Sequence, residues 1–244
     1  MDIAPVKQEG FPPAAESLQS SGITAPIKEV LRGDVEPTLT DQCLYLISRD
    51  ESILYIGQSN NPVNRLKEHL GMRRSAESNL GLLIFCNLPV SLSWQMHFLS
   101  LIDSEPCLAD YLAIMYERQA EIAKSRGASL PGTFLPPQEA LALYHQYAVH
   151  GLRQHKRIAR DIAEKALIRR YKPCLNKAYN YMPSPLPGDL LNPAQLTTIP
   201  LLHPLPHEYL QWLVMSDVVL EAVDHATLVK QEWENENKRF EGQS

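Results

Sequence analysis

Residues 43–69 read CLYLISRDESILYIGQSNNPVNRLKEH, and this stretch decides the predicted fold. The segments CLYLIS and ILYIG are rich in β-branched and aromatic residues and flank the turn-forming RDES, which predicts an antiparallel hairpin. Asn61 is a favourable N-cap and Pro62 suits the first position of a helix, so we expect a helix from there to about Leu70. The hairpin carries two tyrosines, and the helix carries an arginine and a histidine four residues apart. Such a set is unusual for a plain protein surface.

A second informative stretch, AEKALIRRYKPCLN, covers residues 163–176. The pattern from Leu152 to Tyr171 predicts a helix that ends before Pro173. At 100° per residue, one polar stripe of this helix falls within about 60°, and the opposite half is apolar. The stripe consists of Arg153, Arg157, Arg160 and Glu164, and the apolar half of Leu152, Ile158, Ala159, Ile162, Ala163, Ala166 and Leu167. A stripe of this kind could follow a phosphate backbone and deliver it to the carboxylate.

The rest of the chain divides by composition. Residues 1–40 are expected to be mostly disordered, with one short helix near Ile27–Leu31. Residues 41–180 form the predicted domain, with an insertion at about 100–150 that contains helices over 107–125 and from about Gln138. Within this domain LGLLIFCNL fits either a strand or a helix, and SWQMHFLSLI fits a third strand. Residues 181–206 are a proline-rich linker or wrapping arm, and residues 207–244 an acidic helical tail.

Composition narrows the class of protein. The hydrophobic fraction of 44% and the charged fraction of 21% are ordinary for a soluble globular chain, and no apolar run is long enough to span a membrane. No secretory signal is recognised, and the four cysteines form no C-x-x-C pair, so we expect a cytoplasmic protein. The net charge of −5 is uneven, because residues 43–180 hold 17 basic and 12 acidic side chains. This middle region could therefore face a polyanion.

Six motif elements in order resemble the GIY-YIG nuclease family. The first motif reads Cys43-Leu44-Tyr45 and the second reads Tyr55-Ile56-Gly57. The arginine and the histidine on the next helix are Arg65 and His69. The distant glutamate is Glu164, and the closing turn is Lys172-Pro173-Cys174-Leu175-Asn176. The resemblance covers roughly residues 43–180. It departs from the family in the first motif, where Cys43 stands for the glycine and Leu44 for the isoleucine, while the tyrosine is kept as Tyr45.

The resemblance implies a metal-dependent endonuclease that hydrolyses DNA phosphodiester bonds. It implies that Tyr45 accepts a proton from the attacking water. Glu164 would hold Mg²⁺ or Mn²⁺, and a single carboxylate suits an ion that keeps most of its waters. Arg65 can bind phosphate oxygens, Tyr55 could orient water or phosphate, and His69 could bond a phosphate or hold Tyr45.

Two further residues are expected to support the site. Gly57 belongs to the second motif, and Asn176 would fix the end of the helix that carries Glu164. DNA would bind along Arg153, Arg157 and Arg160, and a homodimer could form through the insertion or the C-terminal helices.

The expected architecture is α+β, with a small mainly antiparallel sheet flanked by helices. Tyr45 and Tyr55 should expose their hydroxyls on the side where the 62–70 helix begins. Two other classes stay open: a module that binds nucleic acid or protein without cutting, and a structural scaffold. The nuclease needs the five residues Tyr45, Tyr55, Arg65, His69 and Glu164 on one concave surface, whereas a scaffold would scatter them.

Overall fold

A computed structural model of the chain describes residues 22–35, 42–71, 78–132 and 134–192, together with residues 210 and 213–215. Its centre is a four-stranded antiparallel sheet in the order β1-β4-β2-β3. The strands are β1 (Ile23–Pro26), β2 (Gln42–Arg49), β3 (Ser52–Gln58) and β4 (Gln95–Ser100). Helices flank the sheet, so the expected α+β class is confirmed.

The predicted hairpin is present as β2 and β3. Tyr45 pairs with Gly57 and Leu46 with Ile56, and the register shifts between Ile47 and Ser48. The shift is a bulge-like irregularity, which changes the face on which later side chains lie. Strand β4 lies on the other side of β2, as the third strand predicted from SWQMHFLSLI.

Strand β1 was not predicted from the sequence. Ile23 pairs with Phe98 and Pro26 with Gln95, so this short segment forms the outer edge of the sheet next to β4. The short helix expected near Ile27–Leu31 follows it directly as α1 (Ile27–Arg32). Residues 1–21, the rest of the predicted disordered lead-in before β1, lie outside the described residues.

One face of the sheet is covered by short helices. These are α1, α2 (Pro62–His69) and α3 (Asn79–Cys86), with a 3₁₀ turn over Val90–Ser93. Asn61 caps α2 as predicted, because its side chain accepts a hydrogen bond from the Asn64 amide at 2.8 Å. LGLLIFCNL, which fitted either a strand or a helix, contributes to α3. Trp94, Met96 and Phe98 are buried in this apolar layer, as core residues would be.

The opposite face is covered by the long helices of the insertion and by the helix that carries Glu164. They are α4 (Glu105–Ser125), α5 (Pro137–His150) and α6 (Arg153–Tyr171). Gly151 separates α5 from α6, and a β-carbon there would meet the Tyr147 carbonyl oxygen at 2.2 Å. No helix among the described residues is long and apolar enough to cross a membrane.

Helix α6 begins and ends close to its predicted bounds, but its apolar half is not uniformly buried. Ala159, Ala163 and Leu167 lie in the core. Leu152 is 74% exposed and Ile158 is 40% exposed, so the apolar half extends beyond the part of the helix that packs on the core. Leu152 is the N-cap residue, one position before α6, and therefore lies beyond the packed part of the helix.

The segment that follows α6 completes the sheet and the core. The amides of Cys174 and Leu175 donate hydrogen bonds to the carbonyl oxygens of Ile53 and Leu54. This segment therefore covers the free edge of β3. Further along, Leu190 belongs to the same apolar layer as α1, and so do Leu210, Leu213 and Val214. The part of the proline-rich segment that is described therefore packs against the domain. Most of the predicted acidic helical tail lies outside the described residues.

Candidate active site

Tyr45 and Gly57 form the centre of the site, because the register places them opposite each other on β2 and β3. A β-carbon at Gly57 would lie 2.5 Å from both Cζ and the hydroxyl oxygen of Tyr45, and 2.8 Å from Cε1 of Tyr55. The motif glycine is therefore required for space, since its backbone φ is not in the left-handed region. The two phenol rings lie against it with centroids 6.0 Å apart.

The Tyr45 hydroxyl is fully buried and does not face solvent. It lies 3.0 Å from Nε2 of His69, the last residue of α2. The expectation of an exposed Tyr45 hydroxyl near the beginning of the helix was therefore wrong. Burial, and next the neighbouring Tyr55, raise the pKa of Tyr45 well above its ordinary value, whereas Arg65 lowers it.

Ser78 holds the other side of the His69 ring. Nδ1 of His69 lies 2.8 Å from the Ser78 hydroxyl oxygen. The same oxygen accepts a hydrogen bond from the Gly81 amide at 3.0 Å, and it lies 3.4 Å from the His69 carbonyl oxygen. One assignment satisfies all three contacts: the serine accepts from Gly81 and from Nδ1–H, and donates to the carbonyl. Nε2 then has a lone pair for the Tyr45 hydroxyl. Burial lowers the pKa of His69 to about 4, so the imidazole is neutral near pH 7.

Tyr55 lies within electrostatic reach of both Arg65 and Glu164. Burial is the main cause that raises the pKa of Tyr55; Glu164 raises it further and Arg65 lowers it. Its ring also meets the His69 ring edge-on, with centroids 5.3 Å apart. The structure therefore brings Tyr45, Tyr55, Arg65, His69 and Glu164 to one end of the hairpin, where α2 and α6 approach from opposite faces of the sheet.

The Arg65 guanidinium lies at the exposed rim of this group. Its Nη1 donates to Oε2 of Glu68 at 2.6 Å, one turn along α2. Both side chains are partly exposed, at 43% and 35%, and such pairs contribute only about 0.3–0.5 kcal/mol. A phosphate that offers two oxygens can therefore replace Glu68 as the partner of Arg65.

The Glu164 carboxylate is half-buried and held by Gln58. The Gln58 side-chain amide donates to Oε2 of Glu164 at 2.9 Å. Burial raises the pKa of Glu164, and the neighbouring Asp161 raises it further, whereas the Gln58 bond and Lys165 lower it. A desolvated carboxylate of this kind gains from a nearby cation.

The described residues contain no group of three or more His, Cys, Asp or Glu side chains that could hold a metal ion together. A metal at this end of the sheet would have one carboxylate, Glu164, and would take its other ligands from water and substrate. That donor set fits Mg²⁺, and also Mn²⁺, which favours oxygen ligands.

Asn176 fixes the turn after α6 to the sheet. Its side chain accepts from the Ile56 amide at 2.9 Å and donates to the Ile56 carbonyl oxygen at 2.8 Å. Ile56 lies between Tyr55 and Gly57, so Asn176 ties the end of the Glu164 helix to the strand that carries the second motif.

Cys43 lies outside the polar group. Its side chain packs against the apolar cluster between the sheet and the long helices, on the other side from Tyr45. Its carbonyl oxygen accepts from the Ser59 amide at 2.8 Å. A side chain is therefore accommodated where the motif has its first glycine.

The arginines of α6 differ in their surroundings. Arg153 and Arg157 are exposed, whereas Arg160 is partly buried and its guanidinium donates to the side-chain oxygen of Asn60. Two arginines of the stripe are therefore exposed, and the third arginine joins α6 to the loop that precedes α2.

Sequence reasoning missed Gln58, Asn60, Glu68 and Ser78. Ser78 carried a detectable signal, since a serine before an apolar run is a typical N-cap, and it does cap α3. Its contact with His69 depends on tertiary packing, as do the contacts of Gln58 and Asn60, so no local pattern reveals them.

Residues 42–97 match the family model described as the GIY-YIG catalytic domain, and the resemblance inferred from the motifs is thereby confirmed. The match indicates a nuclease superfamily and includes Tyr45, Tyr55, Gly57, Arg65 and His69. Glu164 and Asn176 lie beyond it. No curated protein and no solved structure matches the chain at a significant level.

Proposed function

We propose that the protein is a metal-dependent endonuclease that hydrolyses DNA phosphodiester bonds at the site formed by Tyr45, Tyr55, Arg65, His69 and Glu164. One observation carries the proposal: Tyr55 interacts electrostatically with both Arg65 and Glu164, although the latter two are far apart in sequence. A cation that can bind phosphate and a carboxylate that can bind a metal thus lie close to the same phenol. Such a pair can neutralise the charge that develops in phosphodiester hydrolysis.

Tyr45 and His69 would move the proton of the attacking water. The phenol is held by Gly57 and His69, and its high pKa makes the free phenolate unfavourable. The proposed step therefore needs DNA binding to admit a water to the buried hydroxyl. It then couples two transfers: the Tyr45 oxygen takes a proton of that water as its own proton passes to Nε2 of His69, and the hydroxide left behind attacks the phosphorus. Approach of the anionic DNA favours the imidazolium, since negative charge raises the pKa of a histidine.

Arg65 would neutralise the scissile phosphate after leaving Glu68. Tyr55 would orient the phosphate or the water from the adjacent position. Glu164 would hold Mg²⁺ or Mn²⁺ with Gln58 fixing the carboxylate. The ion, when bound, supplies charge stabilisation at the phosphate and at the leaving oxygen.

Glu164→Gln tests the proposal. The variant keeps the size of the side chain but loses the charge that attracts a divalent ion. Nicking of supercoiled plasmid with Mg²⁺ or Mn²⁺ should fall by at least about 100-fold, since several kcal/mol of stabilisation are lost and each ~1.4 kcal/mol is tenfold. DNA affinity at fixed salt should stay the same or increase, because a negative charge leaves a basic surface.

Arg65→Ala should also abolish cutting but reduce affinity, since it removes a phosphate ligand. The exposed Glu117→Gln on α4 is the matched control and should cut like the wild type. Equal cutting by Glu164→Gln and the wild type would contradict the role of Glu164. A wild type that binds DNA and never cuts with either metal would instead support a non-cleaving binding module.

A further inference from the structure

The segment after the closing turn presents aromatic side chains to solvent. Tyr179 is 51% exposed and Tyr181 is 83% exposed, whereas Asn180 between them is buried. The Asn180 side chain donates to the Pro173 carbonyl oxygen at 2.7 Å, and the Ser184 amide donates to the Lys172 carbonyl oxygen at 2.8 Å. The loop is therefore anchored on both sides of its two outward-facing rings.

Tyr179 has a backbone that tyrosine rarely adopts. Its φ is 61°, in the left-handed region, which costs a residue with a β-carbon about 1–2 kcal/mol. A strained residue that presents an open ring is better explained by a function than by packing, because the ring buries little apolar surface.

A lysine lies over one of these rings. Lys165 Nζ lies 4.7 Å from the centroid of the Tyr179 ring and 2.6 Å from Oδ2 of Asp161. Lys165 directly follows Glu164, so the Tyr179 ring contacts the helical turn that carries the carboxylate proposed to hold the metal. Tyr111 on α4 lies near Lys165, Arg169, Asp161 and Tyr181, because all four affect its pKa. Burial is the main cause that raises the pKa of Tyr111; the two cations lower it, and Asp161 and Tyr181 raise it.

We define the tyrosine-lysine surface as Tyr179, Tyr181, Lys165, Arg169 and Lys177. Its three basic side chains outnumber Asp161, the carboxylate that pairs with Lys165, so the surface is complementary to phosphates. Duplex backbones are bound by cations without rings, whereas unpaired bases stack on exposed aromatic side chains with cations at their phosphates. Rings and cations together therefore favour a single strand over a duplex and over an acidic protein.

We propose that the tyrosine-lysine surface binds unpaired nucleotides next to the cleavage site, by stacking bases on Tyr179 and Tyr181. This inference rests on the proposed nuclease function and names its substrate class: DNA in which a single-stranded segment adjoins a duplex. The duplex would lie along Arg153 and Arg157, and the unpaired strand beside the far side of Glu164.

The test uses the full chain and three fluorescent DNAs: a single strand, a blunt duplex and the same duplex with a single-stranded tail. Binding is measured with Ca²⁺ at fixed salt, and cutting with Mg²⁺ or Mn²⁺. Tyr179→Ala/Tyr181→Ala should weaken binding to the single strand and the tailed duplex by at least about fivefold per ring, and leave the blunt duplex within about twofold. Tyr179→Phe/Tyr181→Phe should bind like the wild type.

Phe134→Ala is the matched control, since Phe134 is a 40% exposed aromatic residue in the α4–α5 connection, and should change none of the three affinities. If the double variant does not fold, Tyr181→Ala alone should still show a fivefold loss. Equal losses on all three DNAs, or no loss, would overturn the stacking role. So would a shift from dimer to monomer in the alanine variant, which would make the surface an interface between copies. A wild type that binds the tailed duplex tightly but cuts none of the DNAs would contradict the nuclease function while leaving the stacking surface supported.

Discussion

At the scale of single residues, the site is defined by contacts that leave little room. Tyr45 has no exposed surface, and Gly57 supports it with a backbone that would clash if it carried a β-carbon. Gly57, the glycine of the second motif, is therefore needed so that the Tyr45 ring can pack in its place. The same argument does not apply to the first motif position, where the Cys43 side chain packs on the other side of the sheet.

Gly57→Ala should displace the Tyr45 ring. Inserting a methyl group into a packed region costs about 1–3 kcal/mol, and a 1 Å shift of a reacting group can cost about 100-fold in rate. We expect both losses, measured by urea denaturation and plasmid nicking. Gly132→Ala is the control, because no atom of the described residues, its chain neighbours apart, lies within 4 Å of its added β-carbon. Wild-type nicking by Gly57→Ala would show that Tyr45 is not held where the chemistry occurs.

His69 should make the stability of the fold depend on pH. Its pKa is lowered from 6.5 to about 4 in the folded state. Between these two pH values the imidazole is therefore protonated in the unfolded chain and neutral in the folded chain. This depressed pKa contributes stability above about pH 6.5, and the contribution is lost as pH falls towards 4. The loss attributable to His69 is about 3 kcal/mol, at ~1.4 kcal/mol per pKa unit.

The measurement is urea denaturation at several pH values between 7 and 4. His69→Gln should have a lower stability at pH 7 and a shallower decline on acidification than the wild type. His150→Gln, at an exposed position, should follow the wild-type curve. A wild-type slope in His69→Gln would mean that other groups cause the decline.

At the scale of secondary structure, the elements that carry the site were predictable because their signals are local. The β2–β3 hairpin follows from alternating apolar residues around a turn, and α2 from Asn61 and Pro62 at its start. Helix α6 follows from a 3.6-residue pattern that ends before Pro173. The structure places all three where the sequence predicted them.

Other features depend on long-range contacts and could not be predicted. Strand β1 has four residues, includes Pro26, and pairs with a strand that begins at Gln95. The burial of Tyr45 was also not predictable, since its strand alone does not reveal that helices cover both faces of the sheet. The Ser78–His69 contact requires the end of α2 to meet the start of α3, which neither segment reveals alone.

Helix α6 allows a test of its exposed arginines. Arg153→Ala/Arg157→Ala should weaken DNA binding about equally for all sequences, because a regular stripe matches phosphates and not base edges. The slope of log affinity against log salt should fall by about 0.9 per arginine. Arg118→Ala, at an exposed position of α4, should leave the slope unchanged. An unchanged slope in the double variant would place the DNA elsewhere.

At the scale of the whole molecule, the segment that matches the family is not the whole of the packed unit. One face of the sheet is covered in part by Ile27 and Val30 from the N-terminal side, and by Leu210 and Leu213 from the C-terminal side. The Arg32 guanidinium donates to the Val214 carbonyl oxygen at 2.5 Å, so α1 and the segment at residues 213–215 also contact each other. The β2–β3 hairpin therefore depends on chain segments far outside residues 42–97 for its core. A homodimer through the insertion or the C-terminal helices finds no support in these contacts.

A fragment of residues 41–180 should consequently fail to fold, although it contains every proposed catalytic residue. It lacks Ile27, Val30, Leu210 and Leu213, all fully or almost fully buried, and each such side chain contributes about 1.5–3 kcal/mol. The summed loss, about 6–12 kcal/mol, is comparable to the total stability of a typical domain, about 5–15 kcal/mol. A fragment of residues 22–215 retains all described contacts and should unfold in one cooperative transition, followed by near-UV circular dichroism in urea. If residues 41–180 alone unfold cooperatively and nick plasmid, the flanking segments are accessories to a core that is complete without them.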